Sequence, residues 1–224
     1  EEMEHYNALK PQDFTGKGPR GFALEFGSDD PIKEMISLAA INAICQHVMR
    51  VTSFEVDSAT DSHGLLSISA GDRIGMVGLF FGLTKTIRKT GAELVVIEKK
   101  EQLIQKYPDL PITLDVTKLS TCNKILCTST TILNHSLDEV LTHCSPDAFV
   151  SIIGPSAGYF PDPLFARGVD VVAGRVVKNG ARFLQLLSER KRWGDATQRT
   201  CFQKKTYAGI IQRLQKDRNR RSDG

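Results

Sequence analysis

The chain has 224 residues, 41% of them hydrophobic and 25% charged, with a formal net charge of +3. That is the composition of a globular protein with a sizeable core; the charge is too small to point to nucleic acid, and no apolar run approaches the roughly 18 residues of a membrane span. The five cysteines are odd in number and scattered among apolar neighbours, which points to reduced thiols in a cytoplasmic protein, and none has the spacing of a zinc site.

Residues 1–27 are rich in Gly and Pro, with residues 22–26 reading as a short strand or an extended lead-in. Asp30 and Pro31 then have the chemistry of an N-cap and a first helical residue, opening one long helix to Val51. Its stripe of Ile32, Met35, Ile36, Ala39, Ala43 and Val48 is widened by Leu38, Ile41, Ile44 and Cys45, so the helix is expected to be buried on most sides. Asn42 sits in its middle. A buried amide without partners costs about 1–3 kcal/mol, so Asn42 either bonds to core backbone or faces a cleft. Residues 52–71 read as a linker. The chain divides on this reading into an N-terminal unit (1–70), a main domain (71–210) and a basic tail (211–224), the part from Lys216 being polar and dispensable.

The main domain opens on an apolar run from Arg73, broken by Gly75, Gly78 and Gly82. A polar helix follows, then a second apolar run ending in Glu98. This is the grammar of strand, Gly-rich turn, helix and strand, in which a ligand phosphate can rest on free N–H groups of the first helical turn. Glu98 stands where a dinucleotide fold keeps its ribose-binding acid, about 20 residues on. The spacing is G-x-x-G-x-x-x-G rather than G-x-G-x-x-G, however, and Phe80 and Phe81 would crowd a pyrophosphate. Further strands are expected at 111–114, 124–128, 148–153 and 169–173. Helices are expected at 99–107, at 134–143, near Pro161 and at 180–191. Unbroken apolar strands alternating with helices predict an α/β fold, a Rossmann-like, mostly parallel sheet with helices on both faces.

In such a sheet ligands bind outside the carboxyl ends of the strands. Those ends carry Gly78 and Gly82; Glu98; Thr128, Ser129, Thr130 and Thr131 with Asn134 opening a helix; and Gly154, Pro155 and Ser156. Hydroxyls, an amide and helix N-terminal N–H groups suit a carboxylate, a phosphate or another oxyanion. Each residue also has an ordinary structural role: Ser and Thr cap helices, and Gly154-Pro155 makes a turn. His135 reads either as a base or metal ligand, or as an exposed helical residue. No phosphate-loop lysine and no nucleophile elbow is present.

Several stretches, taken in order, resemble a known family: Ser28-Asp-Asp-Pro31, Leu38-Ala-Ala-Ile-Asn-Ala43, Ile74 to Gly82, the Thr-rich loop to Asn134, Gly154-Pro-Ser156, Leu164-Phe-Ala-Arg-Gly168 and Val172-Ala-Gly174. They resemble the putative heavy-metal chelation family of bacterial and archaeal proteins. The resemblance implies a small enolase-like N-terminal domain, here short or incomplete, before the Rossmann-like domain, and a site in the cleft between them. Asn42 would face that cleft from the first domain. Glu98, Thr128–Thr131, Asn134 and Gly154–Ser156 would face it from the second. The family usually carries Gly where this chain has His135 and Ser129.

Together these readings give a protein binding a small oxyanion-bearing molecule, or a transition metal or its chelate. The oxygen ligands on offer favour a hard cation or a metal carried by its chelator over tight zinc binding. The rival is an enzyme using NAD or S-adenosylmethionine. A third reading is an assembly module, and a homo-oligomer is compatible with any of them.

Overall fold

The structure is a computed structural model that describes residues 9–54, 56–58, 66–212 and 214–215. The tail from Lys216 and residues 55 and 59–65 of the expected linker lie outside these residues. Among the described residues no helix is long and apolar enough to cross a membrane.

The first regular elements are helical. Pro19 fixes the backbone for a first helical turn, so α1 (Pro19–Ala23) forms, and turns follow it. The short strand expected at 22–26 is therefore absent. The long helix α2 (Pro31–Val51) starts where the sequence indicates: Asp30 Oδ1 accepts from the N–H groups of Ile32 at 2.9 Å and Lys33 at 3.3 Å. Glu34, one turn in, is buried, and its Oε2 accepts from the N–H groups of Gly27 at 2.7 Å and Ser28 at 3.2 Å, which folds the preceding loop back onto the helix. Ile32, Leu38, Ala40 and Met49 are buried, but Met35, Ala39, Ala43 and His47 are exposed. The expectation of burial on most sides fails on that stripe, because no described element covers it.

Seven strands follow: β1 (Arg73–Val77), β2 (Glu93–Ile97), β3 (Ile112–Thr113), β4 (Lys124–Thr128), β5 (Phe149–Ile153), β6 (Val171–Val177) and β7 (Thr197–Gln203). Their order across the sheet is β3-β2-β1-β4-β5-β6-β7. The first six are parallel, and β7 pairs antiparallel to β6. The intervening helices are α3 (Phe81–Lys89), α4 (Gln102–Lys106), α5 (Thr130–Leu133), α6 (Leu137–His143), α7 (Asp162–Ala166) and α8 (Gly180–Ser188). Alternate strand residues serve two cores. On one face Val77, Ile125, Cys127, Val150, Ile152 and Val172 pack with Leu38 and Met49 of α2 and with residues of α6 and α7. On the other, Ile74, Met76, Val96, Leu126 and Ile153 pack with Ile87 of α3. The sheet is thus covered on both faces, which is why its central strands are continuous apolar runs.

At the amino end of the sheet a polar knot ties two strands together. Asp72 Oδ2 accepts from Lys124 Nζ at 2.7 Å and from the Ser69 N–H at 2.6 Å, and Oδ1 accepts from Asn123 Nδ2 at 2.8 Å. Asn123 Oδ1 in turn accepts from the Arg73 N–H at 2.9 Å. The Lys124 ammonium holds the Asp72 carboxyl well below the usual carboxylate range. A depressed folded-state pKa adds stability above the unfolded value of about 3.9 and loses it as pH falls towards the folded value. Asp72→Asn is expected to lower the melting temperature at neutral pH and to flatten the decline of stability below about pH 4. An unchanged acid limb in a pH series of thermal melts would remove Asp72 from that role.

Candidate functional site

The register decides which strand ends meet. Val77 lies beside Ile97 and Cys127, and Thr128 beside Ile153. Gly78, Glu98 and Thr128 are therefore neighbours, as are Ser129 and Gly154. The strand order reverses direction at β1, with β2 on one side and β4 on the other. That is where open α/β sheets leave a crevice at their carboxyl ends.

The crevice is present, with a volume of 680 Å³. Gly78, Glu98, Thr128, Thr130, Thr131 and Asn134 line it, joined by Lys99, Lys100, Ser136 and Glu139. Gly78 has φ +80, and a Cβ there would lie 2.8 Å from Thr128 Cγ2; a side chain is excluded twice over. Thr128 and Thr130 share a hydrogen bond between hydroxyls at 3.0 Å. Thr131 is buried and donates to the Thr128 carbonyl at 2.7 Å, so it holds the turn. Asn134 is exposed. Its Oδ1 accepts from the N–H of Ser136 at 3.2 Å and from the Ser136 hydroxyl at 2.6 Å. Because the Ser136 N–H can only donate, the amide oxygen must face it, which turns Nδ2 away.

Three expectations are corrected here. The helix expected from 134 to 143 is two helices, α5 and α6, with Asn134 closing the first rather than opening the second. The break passes through His135, whose φ of +53 is left-handed. Glycine adopts that backbone without steric cost, which accounts for the Gly the resemblance leads one to expect. Gly82 lies inside α3, is exposed, and does not line the crevice. The third correction concerns the amides of the Gly-rich turn. The N–H of Gly78 donates to the Ile97 carbonyl at 2.9 Å, that of Leu79 to Glu98 Oε2 at 3.2 Å, and that of Phe80 to Met76 Sδ at 3.4 Å. These three N–H groups precede the first helical turn, which begins at Phe81, and are used within the protein. Glu98, whose Oε1 also accepts from the Lys99 N–H at 2.9 Å, closes the turn instead of standing free.

Asn42, Pro155 and Ser156 do not reach this crevice. They line a second depression of 940 Å³, between the exposed stripe of α2 and the ends of β6 and β7. Asn42 Nδ2 donates to the Leu38 carbonyl at 3.0 Å and to the Ser156 carbonyl at 2.9 Å, so the amide is bonded to the backbone of its own helix and of the β5 loop. Ser129 and Gly154 line neither depression and meet each other at the strand ends. Ser129 is buried, its hydroxyl bonds to that of Ser156 at 2.7 Å, and a Cβ on Gly154 would stand 2.0 Å from Ser129 Oγ. His135 lines neither. Its side chain is 53% exposed, with Nε2 3.8 Å from Glu34 Oε1, at the edge of a 380 Å³ apolar depression that also holds Tyr159. Sequence reasoning passed over Ser136, Glu139, Lys99 and Lys100; the lysines directly follow Glu98, and Ser136 and Glu139 follow Asn134 within the next helix start.

The thiols stand apart from this chemistry. Burial pushes Cys127 up to about 12 and Cys144 up to about 11, and raises Cys45 and Cys122 as well. Among the described residues no group of three or more His, Cys, Asp and Glu could hold a metal ion. Soft metals need thiolates, and these buried thiols do not fit a directly held heavy metal. The oxygen atoms of the crevice fit an oxyanion or a hard cation.

The sequence matches the family described as putative heavy-metal chelation over residues 61–205. The structure is similar to that of a protein of unknown function of the same family from Pyrococcus horikoshii, at 19% identity and a TM-score of 0.70, covering 88% of this chain and 78% of that one. A family protein of unknown function from Desulfitobacterium hafniense is similar at 23% identity and a TM-score of 0.69, covering 86% of this chain and 76% of that one. At these identities the likeness establishes the fold alone. A comparison with curated proteins gave no match.

The state of the thiols is directly testable. At neutral pH an aromatic disulfide reagent is expected to label the native protein slowly, and a denaturant should release rapid labelling. Cadmium is expected to bind no more tightly than to a general surface site. Submicromolar, stoichiometric cadmium binding to the native protein would contradict this account of the cysteines.

Proposed function

Since the chain belongs to the putative heavy-metal chelation family, we propose that it binds a small oxyanion-bearing molecule, or a metal ion already held by such a molecule, over the carboxyl ends of β1, β2 and β4. The observation that carries this reading is the convergence of Gly78, Glu98, Thr128, Thr130 and Asn134 on one crevice at the point where the strand order reverses. The hydroxyls of Thr128 and Thr130 share one hydrogen bond, so one of their two protons is left for a ligand oxygen. Asn134 Nδ2 and the Lys99 and Lys100 ammonium groups add donors. A chelated metal brings its own ligands, which suits a chain in which Cys122, Cys127 and Cys201 are buried and burial raises the thiols of Cys45 and Cys144.

The rival reading, an enzyme using NAD or S-adenosylmethionine, draws support from the strand order, which begins 3-2-1-4-5-6 as in dinucleotide-binding sheets. The Gly-rich turn opposes it. A pyrophosphate is recognised by free amides at this turn, and those of Gly78, Leu79 and Phe80 are engaged. Phe81, at the first position of α3, is spent on an aromatic contact with Tyr107 at 5.3 Å between ring centroids.

A thermal-shift series with citrate, nickel–citrate, free nickel, NAD and S-adenosylmethionine tests both readings. Citrate or its nickel chelate is expected to stabilise the protein; a ligand at 100 times its dissociation constant adds about 2.7 kcal/mol. Stabilisation by NAD or S-adenosylmethionine, with none from the oxyanions, would replace the proposal by its rival. Asn134→Ala is expected to cost about 1 kcal/mol through loss of its bonds to Ser136, and to reduce the citrate shift at least several-fold. A full wild-type shift in that variant would remove Asn134 from the site.

A further inference from the structure

The second depression has a chemistry of its own. Among the described residues it shares no lining residue with the crevice. Its cationic lining residues are Arg50 from α2 and Arg175 and Lys178 from β6 and the turn after it, with His47 beside Arg50, and among the described residues no Asp or Glu lines it. Among the described residues none of the three basic side chains, Arg50, Arg175 and Lys178, forms an ion pair with a carboxylate. Unpaired cations that share a concave surface repel one another and attract an anion, and the low-dielectric wall strengthens the attraction.

The wall also selects shape. Trp193 and Phe183 stand edge to face, with ring centroids 5.5 Å apart. The Arg175 guanidinium lies over the Trp193 ring at 5.7 Å, and its Nη1 donates to Thr197 Oγ1 at 2.7 Å. These two contacts orient the guanidinium and leave other N–H donors of its fork for a ligand. Across the groove, Arg50 Nη2 lies 3.1 Å from His47 Nδ1, which holds that side chain along the helix.

From this we infer that the groove between α2 and the β6–β7 end is a second binding site, for an anion of up to nucleotide size that carries a flat ring. The anionic group is held by Arg175 and Lys178, and the ring lies along Trp193 and Phe183. A volume of 940 Å³ is at the upper end of the range for small-molecule pockets and accommodates such a ligand. The site does not depend on the crevice being a binding site, because the two share no lining residue.

Titration calorimetry with adenosine 5′-monophosphate, 1-naphthoate, adenosine and inorganic phosphate tests the inference on the full chain. The two ring-bearing anions are expected to bind at least tenfold more tightly than phosphate or adenosine, with affinity falling as salt is raised. The comparison of the phosphate with the carboxylate tells which anionic group the site prefers. Lys178→Gln, at an exposed position, is expected to weaken binding several-fold without moving the melting temperature, and Arg175→Gln by tenfold or more. Asn134→Ala is expected to leave binding intact, which separates this site from the crevice. Equal affinity for adenosine and its monophosphate, or full affinity in both Lys178→Gln and Arg175→Gln, would overturn the proposal, as would the absence of binding by either ring-bearing anion at millimolar concentration.

Discussion

The carboxyl end of the sheet depends on the close approach of Ser129 to Gly154. Register places Thr128 beside Ile153, and the Ser129 N–H donates to the Ile153 carbonyl at 2.8 Å. The serine hydroxyl then fills the space a side chain on residue 154 would need. It is not idle there. It bonds to Ser156, and the Ser156 carbonyl accepts from Asn42, so one hydroxyl links β4, the β5 loop and the long N-terminal helix. The same backbone turn starts α5 at Thr130, and α5 divides the crevice from the groove, with Thr130 on one side and Leu133 on the other. A larger residue at 154 would have to push these strands apart. Overpacking of this kind costs typically 1–3 kcal/mol, and here it would also break the Ser129–Ser156–Asn42 connection.

Hard and soft chemistry are kept apart. Cys127 and Cys122 are buried in the sheet core, where the uncharged thiol behaves as a small apolar group. The oxygen and nitrogen atoms of Glu98, Thr128, Thr130 and Asn134 are at the open edge. A directly coordinated soft metal would have to reach the core and deprotonate thiols that burial keeps protonated. A chelated metal presents an outer surface of carboxylate or other oxygen atoms, and hydroxyls, amides and ammonium groups recognise that surface. The family description and the local chemistry are compatible on those terms.

Much of this architecture could be read from the residues. The start of α2 follows from Asp30 and Pro31, and the runs at 73–77, 124–128 and 149–153 are apolar because both faces are covered, so sequence and structure agree closely there. The edge strand β7 escaped for the complementary reason. Arg199 and Gln198 are not buried, and only Thr200, Cys201 and Phe202 are, so it lacks the unbroken apolar signature of its neighbours. The break at His135 also left no mark, because a left-handed histidine carries none of the usual punctuation of Gly or Pro. The strand-end list was right in naming residues at the carboxyl edge, but it treated one edge as one site. Linear sequence carries the strand ends; it does not carry the helix that lies between them.

Glu98 shows how a pattern can persist while its use changes. In a dinucleotide fold the acid after the second strand stays free for a ribose, and the turn after the first strand keeps its amides free for phosphate. Here a Glu98 oxygen accepts the Leu79 amide at 3.2 Å, so the acid and the turn satisfy each other. A ligand phosphate at that amide would have to displace a carboxylate and then sit beside its negative charge. At 4 Å two like charges repel by about 4 kcal/mol at an effective dielectric constant of 20. An oxyanion seated on the Thr128, Thr130 and Asn134 donors does not use that amide, and each Glu98 oxygen retains a lone pair beyond the bond it makes to backbone, open to a cation that such a ligand carries. The strand order therefore supplies the crevice, while Glu98 occupies the Leu79 amide that a phosphate would otherwise use there.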